Sequence, residues 1–459
     1  MRFVLINPPS KEKFVKEGRC QHKAGVFATV YPPLSLVMIG TVLSRTHTVK
    51  IVDGEIKKPG QDVLINELVM KKQQLCDAVI VNVSTPTVKK DLAFIEDMRK
   101  KGFSGLIGLT GIHTTFFAKD FLKNAPVDFI IMGEPETFAL SAASQKDKLS
   151  LPATKGIAYK RGSEIVLNDN PKPDLNKLPA PNWKLIDYKK YRIPFSNKPY
   201  LIVQTGRGCP YSCSFCNAPY YYGKKVRLKS IEKILEELKQ GIKLRVNNFF
   251  FFHETFNLDH SFVRKLCKAI INEKMAIKWF ANSRVDLLDN YTLQLMAKAG
   301  CWMISLGIES MSPAVLAKTR KNLKLNPAAL KDKIREIRKT GIISIGHFIL
   351  GLPGDNIDSI KNTIRLSRRL GLDFAVYYIA TPFPGSELFH SGYYKQPKWN
   401  EAVDYSQNLL VEKIKLKKYI IKAYLGFYLR PKTWINTFRR LGLKAVVRMG
   451  FSLLRYWGG

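Results

Sequence analysis

The chain alternates short, nearly continuous apolar runs with longer stretches in which apolar positions recur at helical spacing. Runs of the first kind lie at Phe3–Ile6, Val49–Val52, Ala78–Val83, Leu106–Leu109 and Asp128–Ile131, with helix-like stretches near 34–45, 62–74, 88–101 and 113–123. Strands apolar on both faces belong in a parallel sheet covered on both sides, and intervening helices supply the cover. Residues 1–145 therefore predict an α/β, doubly wound, flavodoxin-like domain with its ligand site at the carboxyl ends of the strands.

Residues 146–195 break the pattern with Pro152, Pro171, Pro173, Pro179, Pro181 and Pro194. They read as a linker holding a small hairpin, Gly156–Tyr159 against Glu164–Leu167. A second alternation fills 196–395, with apolar strands at 200–205, 247–252, 277–281, 302–306, 342–349 and 373–379. Gly241, Gly300, Gly341 and Gly371 each precede an apolar stretch and are expected to end helices in the left-handed conformation. Six strand–helix units predict a partial barrel whose functional groups lie at the C-terminal strand ends. Residues 396–459 read as a basic, aromatic, helical extension: from Val411 onward there are 12 Lys/Arg against one acid, Glu412.

Chemistry enters after the first barrel strand, in Gly206-Arg207-Gly208-Cys209-Pro210-Tyr211-Ser212-Cys213-Ser214-Phe215-Cys216-Asn217. Three thiols this close can converge on one metal centre. Structural zinc wants four protein ligands, and no fourth Cys or His lies nearby. A cubane iron–sulfur cluster held by three cysteines keeps one iron open for a small molecule. The other cysteines, Cys20, Cys76, Cys267 and Cys301, are scattered, which suits a reducing cytoplasm better than a disulfide framework.

The N-terminus reads as a strand rather than a signal peptide, and no apolar run reaches bilayer length. A net charge of +37 attracts an anionic partner: an acidic membrane surface, nucleic acid or a phosphorylated substrate. For the C-terminal helices two readings stand level, peripheral docking on an anionic membrane and plain packing on the barrel, with nucleic acid a weaker third.

The cysteine spacing, with an aromatic before the third Cys, resembles the radical S-adenosylmethionine (SAM) superfamily. That resemblance implies a 4Fe–4S cluster on Cys209, Cys213 and Cys216 whose open iron chelates SAM, and reductive cleavage to a 5′-deoxyadenosyl radical. Residue by residue it implies SAM contacts from Phe215, Glu254, Arg284, Ser305, Glu309 and His347, with Lys321 or its neighbour Arg320 gripping the methionyl carboxylate. Glu254 stands in Phe252-His253-Glu254-Thr255-Phe256, which is similar to the superfamily's Gly-Gly-Glu region without its Gly pair. Gly307-Ile308-Glu309-Ser310 is similar to the segment facing the ribose.

The first 140 residues resemble the cobalamin-binding domain fused to one subgroup of these barrels, through Asn7-Pro8-Pro9, Tyr31-Pro32-Pro33-Leu34-Ser35-Leu36, Val52-Asp53-Gly54-Glu55, Gly111-Ile112-His113-Thr114 and Gly133-Glu134-Pro135-Glu136. Cobalamin contacts are then implied for Asn7, His22, Ser84, Thr85, Gly111, His113, Gly133 and Glu134. Cys20-Gln21-His22 departs from the cobalt-ligating pattern of the subgroup, with Cys where an Asp would orient the imidazole.

Together these resemblances imply a cytoplasmic, cobalamin-dependent methylase of an unactivated carbon, or an enzyme of cyclisation or rearrangement, fed electrons by a ferredoxin or flavodoxin. The basic aromatic C-terminus points to a lipid-like or isoprenoid substrate at a membrane periphery. Two alternatives remain open: a radical SAM enzyme acting on RNA, and a non-catalytic iron–sulfur binding or regulatory protein.

Overall fold

The computed structural model describes residues 1–10, 12–18, 21–23, 30–56, 60–69, 76–194, 196–323 and 326–457. The described residues divide into two compact units, those within 1–23, 30–191 and 396–404 forming one, and those within 192–395 and 405–457 the other. Two stretches differ from the divisions read in the sequence. Most of 146–195, up to Tyr191, joins the first unit, and 396–404 returns to it, because Trp399 and Ala402 pack on its apolar core.

In the first unit β1 (Arg2–Asn7), β2 (Thr48–Asp53), β3 (Ala78–Asn82), β4 (Leu106–Thr110) and β5 (Phe129–Ile131) are parallel, in the order β2-β1-β3-β4-β5. This is the doubly wound arrangement expected, with its switch point between β1 and β3. The hairpin β6 (Ile157–Arg161) and β7 (Glu164–Leu167) adds two antiparallel strands beyond β5. Alternate strand residues feed two cores. Val4, Ile6, Val79 and Val81 face α2 (Gln61–Val69) and α3 (Val88–Lys100). Phe3, Leu5, Ala78 and Ile80 face α1 (Leu34–Leu43) and α5 (Glu136–Ala143), on the other side; α4 (Ala118–Asn124) lies with α2 and α3. The stretch near 62–74 extends past Val69 into residues outside those described.

The second unit carries six parallel strands in sequential order: β8 (Leu201–Gln204), β9 (Asn248–Phe252), β10 (Lys278–Ser283), β11 (Cys301–Glu309), β12 (Ile343–Leu350) and β13 (Phe374–Ile379). Helices α6 (Ile231–Lys243), α7 (His260–Asn272), α8 (Asn290–Lys298), α9 (Pro327–Lys339) and α10 (Ile357–Ser367) alternate with them. Side-chain oxygens of Ser230, Asp259, Asp289, Asn326 and Asn356 cap their N-termini, satisfying amides the helices leave unpaired. Gly300, Gly341 and Gly371 take positive φ as expected. Gly241 does not: it lies inside α6, where a Cβ would come within 2.5 Å of the Phe249 ring, and Arg245 takes the left-handed position instead. That glycine serves close helix–strand packing rather than termination.

The open edge of the sheet, β13, is covered by α11 (Leu416–Tyr428). The Tyr428 hydroxyl accepts from Ala375 N at 3.0 Å and donates to Ala375 O at 2.7 Å, and the Tyr424 hydroxyl does the same for Tyr377 at 3.3 Å. Two buried phenols thus pair strand-edge groups that would otherwise template aggregation. Removing one hydroxyl strands a buried donor and acceptor together. Tyr428→Phe should cost about 1–3 kcal/mol by denaturant titration, whereas a change within experimental scatter would mean water replaces the phenol.

Candidate active site

The cysteine loop leaves the C-terminal end of β8 and is held by the end of β9. Gly208 donates its N–H to Glu254 Oε2 at 3.0 Å, and its carbonyl meets His253 Nε2 at 3.2 Å. Its φ is +94°, and a Cβ there would lie 2.2 Å from the Lys225 carbonyl. Only glycine fits that crossing. Cys209 is buried, Cys213 and Cys216 are partly exposed, and the Ala218 N–H donates to Cys216 Sγ at 3.4 Å. Further along, Ser214 donates its N–H to the Thr319 carbonyl, and its own carbonyl accepts from Leu388 N, both at 2.9 Å. Burial pushes the Cys213 thiol up, while the nearby Lys321 ammonium opposes that shift.

The remaining strand ends bring charge to the same side of the sheet. Lys321 Nζ lies 3.1 Å from Glu309 Oε1, and both side chains are buried. Gly307 makes room for that pair: a Cβ there would lie 2.7 Å from Glu309 Oε1 and 3.0 Å from Lys321 Nζ. Glu309 itself has φ +68°, a conformation a side-chain-bearing residue holds only where its surroundings impose it. Arg284 forks onto Asp286 at 2.8 and 3.1 Å and lies 4.0 Å over the Tyr211 ring of the cysteine loop. Burial alone would depress the guanidinium, and the Asp286 carboxylate more than reverses this.

Arg320, by contrast, is exposed and pairs with Glu387. Phe215 packs with Val315, Leu352 and Ala380. Ser305 is partly exposed on β11, and His347 Nδ1 meets the Tyr378 hydroxyl at 3.1 Å with the two rings stacked.

At the carboxyl ends of the first sheet, Asn7 donates to Asp53 Oδ1 at 3.2 Å and accepts from Asn82 at 2.7 Å. Tyr191 donates to the other oxygen of Asp53 at 2.5 Å. Ser84 Oγ meets Thr87 Oγ1 at 2.6 Å, and Thr85 N donates to Gln21 at 2.8 Å. Gly111 has φ +131°, with its Cβ position 2.3 Å from the Val83 carbonyl; Gly133 has φ +61° and donates to Thr115 Oγ1. Glu134 is buried.

His113 is a core residue here. Its Nε2 lies 2.8 Å from the Trp399 carbonyl, its ring packs on Phe117 and Phe121, and burial pushes its pKa down to about 4. His22 sits on a short hairpin, Phe14–Val15 against His22–Lys23, with Nδ1 2.8 Å from the Lys23 carbonyl and its pKa lowered by desolvation. Cys20 lies outside the described residues.

Residues 203–367 match the model of the radical SAM superfamily. Over those residues the chain is a radical SAM domain. It is 28% identical to an uncharacterised methyltransferase of Pyrococcus horikoshii over 95% of this chain and 94% of that protein. Its fold is similar to that of the radical SAM methyltransferase TsrM from Kitasatospora setae, solved with cobalamin and a [4Fe-4S] cluster bound (TM-score 0.67, 14% identity, 84% of this chain and 76% of that one). It is also similar to the cobalamin-dependent SAM radical enzyme OxsB with aqua-cobalamin bound (TM-score 0.68, 15% identity, 100% and 79%).

The radical SAM loop fits its 4Fe–4S cluster by its donor set. Three thiols stand within eight residues of one loop, with no fourth Cys in that loop. The strand ends of the first unit fit a cofactor rich in polar groups. Thr85 Oγ1 and Ser10 Oγ are buried there without a hydrogen-bond partner among the described residues, which is uncommon for buried polar atoms.

Sequence reasoning passed over three residues of this radical SAM site. Asn257 is fully buried and bridges to Arg284, donating to its carbonyl at 2.8 Å and accepting from its N–H at 2.9 Å. Thr319 and Asp286 hold the cysteine loop and Arg284. A lone Asn, Thr or Asp carries no local signal of such contacts.

Proposed function

We propose that this radical SAM chain is a cobalamin-dependent methyltransferase acting on an unactivated carbon of a lipid-like or isoprenoid substrate. The carrying observation is the pairing, in one polypeptide, of a three-thiol loop at a barrel strand end with a 2-1-3-4-5 sheet whose carboxyl ends hold unpartnered polar atoms. When bound, the cluster, SAM and cobalamin supply radical generation and methyl transfer.

The chain's own residues bind, orient and exclude water. Cys209, Cys213 and Cys216 ligate. Lys321 and Glu309 stand ready to exchange their mutual contact for a carboxylate and for sugar hydroxyls, and Glu254 fixes the loop through Gly208. Electrons would come from a low-potential ferredoxin or flavodoxin.

Support for an apolar substrate comes from the barrel wall. Phe249 faces α6, so strand alternation turns Phe250 and Phe252 to the inner face. Phe250 stacks on Phe280 at 4.7 Å, and Phe280 meets Trp302 and Tyr200 edge-on or tilted. The last two helices, residues 431–457, add no such support, because Arg440 attaches them at the other ends of the strands (on Asp373 and the Gly341 and Ile342 carbonyls).

The test is anaerobic reconstitution with iron, sulfide and cobalamin, then reduction with methyl-labelled SAM and lipid extract. The reading requires 5′-deoxyadenosine that vanishes in Cys213→Ala, together with label in an apolar product. Cleavage without methyl transfer would favour cyclisation or rearrangement, and label in RNA instead would sink the lipid reading.

A further inference from the structure

We propose that the last two helices, α12 (Pro431–Leu441) and α13 (Leu443–Trp457), form a docking face for an anionic lipid surface. They pack on each other, with Thr437 Oγ1 3.9 Å from Met449 Sδ and both residues buried, and Arg440 ties them to the barrel. Their outward side should then be polar, yet it is not. Ile435 and Phe438, spaced i and i+3, and Leu443, Val447 and Phe451, spaced i, i+4 and i+8, are 48–63% exposed. Each set forms one stripe along its helix.

Charge selects the occupant. No Asp or Glu follows Glu412 in the sequence, and Lys432, Arg439 and Lys444 are exposed with no ion pair among the described residues. Apolar residues facing out between basic ones are the composition of a helix lying in a membrane interface. Spanning is not at issue, since no helix is long and apolar enough to cross a membrane among the described residues.

A second copy of the chain fits poorly: pairing these faces would oppose the same cations with no acid to neutralise them. A nucleic-acid backbone would match the charge but leave five apolar side chains exposed. Lipid headgroups over acyl chains satisfy both features. The attachment through Asp373, Gly341 and Ile342 lies at the N-terminal ends of the barrel strands, opposite the cysteine loop, so docking leaves the barrel mouth uncovered.

The full chain, read without turnover so that the result stands apart from methyl transfer, is sedimented with vesicles of phosphatidylcholine alone or mixed with phosphatidylglycerol. Binding is expected only with the anionic lipid and should weaken with salt. Phe438→Ser with Phe451→Ser should weaken it roughly tenfold or more, since each such side chain carries a large transfer free energy. Arg439→Glu with Lys444→Glu should remove the preference for anionic lipid. Unaltered thermal melts would show that both variants still fold, the changed positions being exposed. Equal binding to neutral vesicles, undiminished binding by the serine variant, a Phe451-dependent dimer, or retention on RNA but not on vesicles would each overturn the proposal.

Discussion

Gly208→Ala is expected to lose the iron–sulfur cluster although all three thiols remain. The substitution places a methyl group 2.2 Å from the Lys225 carbonyl at a backbone with φ +94°. Unfavourable backbone geometry of this kind costs ~1–3 kcal/mol, and overlap with a carbonyl cannot be relieved by a rotamer. Relief requires the loop to shift, which breaks the Glu254 and His253 contacts on either side of the same residue. Those contacts set where Cys209 begins, and Cys209 Sγ lies 3.9 Å from Thr255 Oγ1 on the same β9 end. Each ~1.4 kcal/mol lost from a preorganised site is about tenfold in rate, so SAM cleavage should fall by roughly a hundredfold or more. Iron and sulfide counted per chain after reconstitution, beside Cys213→Ala, decide the matter. Full cluster content in the alanine variant would show that the loop tolerates the methyl group and that the glycine is not what shapes it.

The order of legibility follows the range of the interactions. Strand positions were readable because a run such as Leu201-Ile202-Val203 reports its own burial, and all eleven parallel strands expected from such runs are present. The grouping of Cys209, Cys213 and Cys216 was readable because it is written within eight residues. The glycines divide by mechanism. Gly300 ends its helix as its position suggests, whereas Gly241 answers to a ring eight residues away that no local pattern reveals. Longer-range partners were invisible: Tyr424 and Tyr428 look like two more aromatics of a basic tail until β13 is placed beside them. Between Arg320 and Lys321, adjacent in sequence, only the fold turns one to Glu387 at the surface and the other to buried Glu309.

Lys16→Met should destabilise the first unit by about 3–5 kcal/mol at neutral pH, the cost of leaving one side of a buried ion pair alone. In a chain of net +37 this lysine is an exception, with only 5% of its surface exposed. Its Nζ lies 3.3 Å from Asp91, 3.7 Å from Glu55 and 3.3 Å from the Pro8 carbonyl. Desolvation raises both carboxyls, Glu55 to about 7, and the Lys16 charge pulls both back. Without it they climb further. A carboxyl with a raised folded pKa keeps a proton that the unfolded chain releases near 4.5, so its contribution to stability declines as pH rises through the folded value. In the native chain Glu55 produces that decline between about 4.5 and 7, amounting to roughly 3 kcal/mol. In the variant the decline should extend above 7, so the two proteins differ least at about pH 5 and most at about pH 8. Denaturant titration at both values, with Glu55→Gln added to the Lys16→Met background, measures this directly. The added substitution should recover part of the loss at the higher pH and little at the lower. A deficit that is the same at both would mean Lys16 acts through its packing and not through its charge.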